Sequence, residues 1–306
     1  MIVILGPTAT GKSDVAVRVA RRLGGCIINA DSIQVYRGLE AGSCKPPLEA
    51  RREIAHALID IADPAEPFSA GQFARMALDE IAACRKSGCV PIVAGGTGLY
   101  LKALVDGIAP MPPRDDLLRK ELYARAAATS AEDLHRELAG RDPETAARIG
   151  ARDLQRIVRA LEVLELTGVP LSRHIGMQRF QPGTVEAFKV GLAMERALLY
   201  QRVDERVERI FAAGIVDEVR ELLASGVPAG ANALKALGYR EVLAHLRGEI
   251  DLARAFHLVK RNTRRYARRQ IIWFRRERDV RWYDAGALSP EEIAAEVAAI
   301  YQHRGA

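Results

Sequence analysis

Residues 6–13 read GPTATGKS, so Gly6, Pro7, Thr8, Ala9, Thr10, Gly11, Lys12 and Ser13 complete the G-x-x-x-x-G-K-[ST] pattern of a phosphate cradle. Its glycines let successive backbone N–H groups turn toward an anion, and the N-terminus of a following helix adds positive potential. Lys12 brings a point charge to the outer phosphate, and Ser13 offers a hydroxyl to Mg²⁺. Thr8 and Thr10 supply further hydroxyls. ATP is the obvious occupant, yet the eight residues establish only a diphosphate-sized anion site. Asp31, in NADSIQVY (29–36), suits a general base or an indirect magnesium partner, and equally a helix N-cap. Ser32, Gln34 and Tyr36 on the same segment favour a loop that touches substrate. Thr97, in AGGTGLY (94–100), has glycines on both sides that permit close backbone approach. Arg202, Arg206 and Arg209 share one helical face, from which one can reach a phosphate; pairing with Asp204, Glu205 and Glu208 is the competing role. Gln155, Arg156 and Arg159, in DLQRIVRALEV (153–163), also share a face, whose ordinary meaning is a solvated surface.

The elements that must position these groups are legible upstream of residue 110. IVIL (2–5), CIINAD (26–31) and VPIVA (90–94) are short apolar strands, and HALIDIADP (56–64) contains another apolar run closed by Pro64. Between them lie helical patterns over 13–23, with Val15, Ala16, Val19, Ala20 and Leu23 on one face, and over 69–88. The alternation predicts an α/β fold with a parallel sheet and helices on both faces. Ligands on such sheets collect at the carboxyl ends of the strands, where the phosphate loop, Asp31 and Thr97 all fall. IAPMPPR (108–114) reads as a linker into a purely helical block reaching about residue 180. EAFKVGLAM (186–194) returns to the sheet as a strand, one long helix follows over 196–226, and the remainder is helical with a loop around 226–241.

The formal charge is +6, but residues 260–281 alone carry +8, ten Lys/Arg against Glu277 and Asp279, leaving about −2 for the rest. Lys260, Arg264 and Arg268 form one i, i+4 stripe, and Arg261, Arg265 and Arg269 an adjacent one, with Tyr266 among them and Trp273 beyond. Such a face suits a polyanion, bound in a salt-sensitive and sequence-tolerant way. Cys26, Cys44, Cys84 and Cys89 make no C-x-x-C pair, which argues against a zinc site or a disulfide framework and for a reducing cytosol. MIVIL lacks the basic flank of a signal peptide, and no apolar run approaches a membrane span, so a cytoplasmic protein without membrane contact is expected.

In order along the chain, GPTATGKS, NADSIQVYRGLEAGSCKP, HALIDIADP, AGGTGLY, DLQRIVRALEV, ALGYRE and TRRYARRQIIWFR resemble the tRNA dimethylallyltransferase (tRNA isopentenyltransferase) family. The likeness runs to about Trp282, and Cys44 departs from it by standing where the family has a small residue before Lys-Pro. It implies a P-loop-type core, 1–110 plus 185–306, with a helical insertion domain, 111–184, that clamps the anticodon arm. It implies transfer of a dimethylallyl group from dimethylallyl diphosphate to N6 of the adenosine 3′ to the anticodon, assisted by Mg²⁺ on Ser13. Under that reading Lys12, the loop amides and Arg206 hold the diphosphate, Thr97 bonds its bridging oxygen or the diphosphate itself, and Asp31 orients the amine and takes its proton. The resemblance assigns tRNA contacts to Asp31, Ser32, Ile33, Gln34, Thr97, Arg119, Gln155, Arg156, Ile157, Val158, Arg159, Lys235, Gly238, Tyr239 and Arg240. It also assigns them to the 263–270 stretch with Arg264, Arg265, Arg268, Arg269 and Gln270, and a monomer is expected. A P-loop kinase using ATP on a small molecule and a nucleotide-gated RNA-binding protein are the rival readings.

Overall fold

In the computed structural model, which describes residues 1–107, 109, 111–178 and 185–304, strand β1 (Ile2–Leu5) is wholly buried and ends at Gly6. Helix α1 (Lys12–Leu23) follows, burying Val15, Ala16, Val19 and Ala20 on one stripe and stopping at the left-handed Gly24. Next come β2 (Gly25–Asn29), α2 (Leu48–Glu53), β3 (His56–Ala57), α3 (Ala70–Lys86), β4 (Val90–Ala94) and α4 (Gly98–Val105). The 106–184 stretch contributes α5 (Asp116–Ala128), α6 (Ala131–Arg141), α7 (Pro143–Ala146), α8 (Leu154–Thr167) and α9 (Leu171–Gln178). The chain continues with β5 (Phe188–Ala193), α10 (Arg196–Ala212), α11 (Ile215–Ala224), a 3-10 turn at Ala233–Lys235 and α12 (Tyr239–Leu246). It closes with α13 (Leu252–Phe274), β6 (Val280–Asp284) and α14 (Pro290–Arg304).

The strands form one parallel sheet in the order β3-β2-β4-β1-β5-β6. One face buries Val3, Leu5, Ile28 and Val93 against Phe73, Leu104, Val219 and Val242. The other buries Ile2, Ile4, Ile27, Ile92 and Val190 against α1 and α14 through Val15, Val19, Ile293 and Val297. A parallel sheet covered on both faces is why its central strands read as unbroken apolar runs. Contacts divide the chain into a unit formed by Met1–Val105 with Val185–Ala306 and a second formed by Asp106–Thr184. The second has its own core of Leu122, Leu134, Leu138, Ile157, Val158 and Leu161. Ile108 and Pro110 of the proline-rich linker, and residues 179–184 of the helical block, lie outside the described residues.

Four expectations need correction. The single helix over 196–226 is two, because Gly214 at φ 88° breaks it and caps α11. Strand β6 falls where only helix is expected; VRWYD is a charged edge strand whose Trp282 lies against Gly191 of β5, where a Cβ would come within 2.5 Å of the indole. The apolar run at 56–64 yields only two strand residues, since Leu58 and Asp60 take φ of 61° and 59°. Cys26 and Cys84, 58 residues apart, stand side by side with their Cα atoms 6.6 Å apart, where no pairing is expected. Packing of α3 on β2 brings them together, a proximity that sequence spacing does not reveal. Among the described residues no helix is long and apolar enough to cross a membrane.

Candidate active site

The phosphate loop leaves the central strand of the sheet. Gly6 is required there, since at φ 146° a Cβ would sit 2.5 Å from the Leu192 carbonyl oxygen of β5. The loop then braces itself: the Thr10 hydroxyl donates to the Pro7 carbonyl at 2.9 Å, and Lys12 Nζ donates to the same oxygen at 2.7 Å. Burial and the neighbouring Arg206 cation push the Lys12 ammonium down to about 7, against the opposing pull of Asp31. Ser13 and Asp14 face solvent at the first turn of α1.

Asp31 follows β2. Its Oδ1 accepts the Ile33 N–H at 2.9 Å, and its own N–H donates to Asn29 Oδ1 at 3.1 Å. The turn thereby fixes the carboxylate through Oδ1. Thr97 follows β4, and its Oγ1 accepts the Ser32 N–H at 3.0 Å and donates to Ser32 Oγ at 3.2 Å. The two segments are drawn together because Gly95 packs onto the Ala30 backbone, where a Cβ would lie 2.2 Å from the carbonyl oxygen. Tyr266 of α13 lies beside Thr97, and burial raises its phenol, helped by the nearby Asp31 charge.

Of the three candidate arginines, Arg206 stands beside Lys12 and donates to the Ser43 carbonyl at 3.3 Å. Arg209 turns to its own helix, donating to the Glu205 carbonyl at 3.4 Å. Arg202 lines a pocket of about 280 Å³ with Thr10, Gly11, Asp14 and the 285–290 segment. The acids proposed as partners for these arginines serve others: Glu208 pairs with Lys260 at 2.7 Å, and Asp204 holds Arg264 through both oxygens. Lys260 and Arg264 are therefore turned toward α10, a correction to the two full stripes. Arg261, Arg265, Arg268 and Arg269 remain exposed on α13.

Gln270 is the link between this basic helix and the phosphate loop. Buried, it accepts the Thr8 N–H at 2.8 Å and donates to the Gly96 carbonyl at 2.8 Å. Both ends of the amide are thus occupied, and its side chain is a brace rather than an RNA-facing group. Gln34 is likewise buried and donates to the Ser43 and Cys44 carbonyls, each at 3.2 Å. Tyr239 is fully buried, while Arg240 pairs with Glu241 at 2.7 Å and Lys235 stays exposed. Gly238 takes φ 91° to cap α12. Ser32 and Ile33, which follow Asp31, are partly buried.

In the helical unit, Glu162 is fully buried and accepts both Arg119 and Arg159 as well as the Asp115 N–H. Ile157 and Val158 are core residues there, so the exposed groups of that stretch are Gln155 and Arg156. Tyr266's proximity to Thr97 and the Ser43 carbonyl beneath Arg206 have no sequence signal, because each depends on residues far apart in the chain. Among the described residues no group of three or more His, Cys, Asp or Glu could cage a metal.

The IPP transferase family profile matches residues 34–277, and that of isopentenyl transferase matches residues 1–61. The tRNA dimethylallyltransferase of Geobacter metallireducens is 48% identical over 284 residues, 93% of this chain and 92% of that protein. That of Moorella thermoacetica is 45% identical, covering 96% and 93%. Among solved structures, the full-length tRNA isopentenylpyrophosphate transferase of Bacillus halodurans aligns with a TM-score of 0.73 at 35% identity, covering 99% and 95%. A eukaryotic dimethylallyltransferase acting on tRNA aligns with a TM-score of 0.79 at 26% identity, covering 98% of this chain and 77% of its own.

Proposed function

The chain belongs to the IPP transferase family, and from that premise we propose that it is a prenyltransferase acting on tRNA. It moves a dimethylallyl group from dimethylallyl diphosphate to N6 of the adenosine 3′-adjacent to the anticodon, releasing diphosphate. The observation that carries this reading is Gln270, which ties the arginine-bearing helix α13 to both the phosphate loop and Gly96. A polyanion-binding face thus begins where the diphosphate site ends. A kinase of small molecules has no use for that arrangement, and relatives 48% identical over 93% of the chain are not kinases.

The reaction breaks the allylic C1–O bond and forms a bond from C1 to N6, while one amine proton leaves. Lys12, the loop N–H groups and Arg206 take up the negative charge that grows on the departing diphosphate. Thr97 orients its bridging oxygen. Asp31, whose Oδ1 is already engaged with the Ile33 N–H, holds the exocyclic amine and receives its proton through Oδ2. The adenine must leave its stack to reach this site, and Tyr266 beside Thr97 offers an aromatic surface for it. Mg²⁺ fits the donor set, because that ion keeps several waters and substrate phosphates and needs few protein oxygens. Ser13, exposed at the loop, would hold it, and when bound it neutralises diphosphate charge. Arg265, Arg268 and Arg269 meet tRNA phosphates, with Gln155 and Arg156 as further exposed contacts in the helical unit and Lys235 and Arg240 beyond α11. The acceptor assigns the reaction to the cytoplasm, with a monomer as the acting form.

The test is to incubate the protein with unmodified tRNA, dimethylallyl diphosphate and Mg²⁺, digest the RNA and weigh the nucleosides. Prenylated adenosine is the expected product; its absence under all conditions would overturn the reading. ATP-dependent phosphorylation of a small molecule would restore the kinase.

A further inference from the structure

Arg206 is aimed by a main-chain oxygen, and that oxygen belongs to a segment with no regular structure of its own. The Ser43 carbonyl accepts Arg206 at 3.3 Å and Gln34 at 3.2 Å. What fixes the segment is a carboxylate from α11. Glu218 Oε2 accepts the N–H groups of Glu40 at 2.8 Å and Ala41 at 2.6 Å. Its Oε1 accepts the Tyr239 hydroxyl at 2.7 Å, with the Gly42 N–H at a long 3.5 Å. Three successive N–H groups converging on one anion is the arrangement that binds phosphate elsewhere; here the chain supplies the anion itself. The fit is close: a Cβ on Gly42 would meet the Tyr239 ring at 2.5 Å. Lys45, almost wholly buried, fastens the far end by donating to the Tyr36 carbonyl at 2.9 Å and pairing with Glu40 and Asp60.

We propose that Glu218 is a positioning residue for the diphosphate: through the 40–43 backbone it sets the Ser43 carbonyl, which orients the Arg206 guanidinium toward the phosphate loop. One guanidinium donor is spent on that carbonyl, and the remaining donors of the planar fork are left pointing in a defined direction. Burial, and then the Glu218 charge, raise the Tyr239 phenol, so it stays a donor to the carboxylate at any working pH. The inference rests on the transferase reading for the role of Arg206, but its readout does not need transfer.

The experiment is titration calorimetry of inorganic diphosphate with Mg²⁺ into the wild type, Glu218→Gln, Arg206→Ala and the double variant. Glu218→Gln keeps the shape and removes the charge that gathers the N–H groups. Diphosphate affinity should fall about tenfold, and kcat for transfer by a similar factor, with KM for tRNA unchanged. In the Arg206→Ala background the same substitution should cost less than about twofold, because the group it positions is gone. Tyr239→Phe removes one donor to Glu218 without altering the packing, and should give a smaller loss that also disappears without Arg206. It carries the test if Glu218→Gln does not fold. Equal losses with and without Arg206, or a Glu218→Gln protein of full diphosphate affinity, overturn the proposal. A protein that shows this coupling yet prenylates no adenosine would sink the transferase reading and leave the positioning role standing.

Discussion

Lys12 offers the sharpest quantitative test of the site. Burial and Arg206 lower its ammonium to about 7, so in the ligand-free protein it loses its proton within the physiological range. A bound diphosphate is an anion at contact distance and favours the charged form, which raises the same group. Binding therefore takes up a proton whenever the pH lies above the free value. With a midpoint near 7, about nine-tenths of Lys12 is neutral at pH 8, and each binding event should draw about 0.9 proton from the buffer. The sign follows: affinity is fully present below about pH 7 and falls as pH rises, by about fivefold from 7 to 8 and nearly tenfold from 8 to 9. Calorimetry of dimethylallyl diphosphate in two buffers of different ionisation enthalpy measures the uptake directly. Lys12→Met should abolish both the uptake and the slope. Arg206→Ala should move the midpoint upward, since the cation that suppresses Lys12 is removed. Wild-type binding without proton uptake at pH 8, or the same uptake in Lys12→Met, would refute the reasoning.

Asp31→Asn should eliminate transfer while tRNA affinity stays within about twofold, measured by product mass and filter binding; normal transfer would remove Asp31 as the proton acceptor. Gly95→Ala forces a Cβ to 2.2 Å from the Ala30 carbonyl oxygen and should cost more than about 3 kcal/mol in urea unfolding. Glu162→Ala leaves Arg119 and Arg159 without their buried partner and should destabilise the helical unit by about 3 kcal/mol. Burial alone would raise Glu162, but Arg119, Arg159 and the Asp115 N–H together lower it. That contribution is therefore held above the ordinary carboxylate range and lost as pH falls through the depressed value. Each of Arg265→Ala, Arg268→Ala and Arg269→Ala should lower the slope of log K against log salt for tRNA by about one, whereas Lys260→Ala, already paired with Glu208, should change it little.

The sequence by itself determined what is local or what strand order makes unavoidable. The phosphate loop is eight contiguous residues between a strand and a helix, so its chemistry is written in one place. Asp31 and Thr97 were also legible, because parallel strands end on the same edge and bring whatever follows them together. The basic stretch was visible as charge, but not which of its members are already paired: α10 engages Lys260 and Arg264 with Glu208 and Asp204. Gln270, which the resemblance assigns to tRNA contact, has both ends of its amide engaged as the brace between that helix and the loop. The resemblance singles out Arg206 over Arg202 and Arg209, but seeing it beside Lys12, with Glu218 fixing the segment under it, required knowing which helix faces meet. The edge strand β6 and the break at Gly214 were hidden for a related reason, since charged edge residues and a single glycine carry weak periodicity. Periodicity reports which side of an element is buried. It does not report which distant side chain fills the space opposite, and in this site that pairing decides which charges are held, which are aimed and which stay exposed.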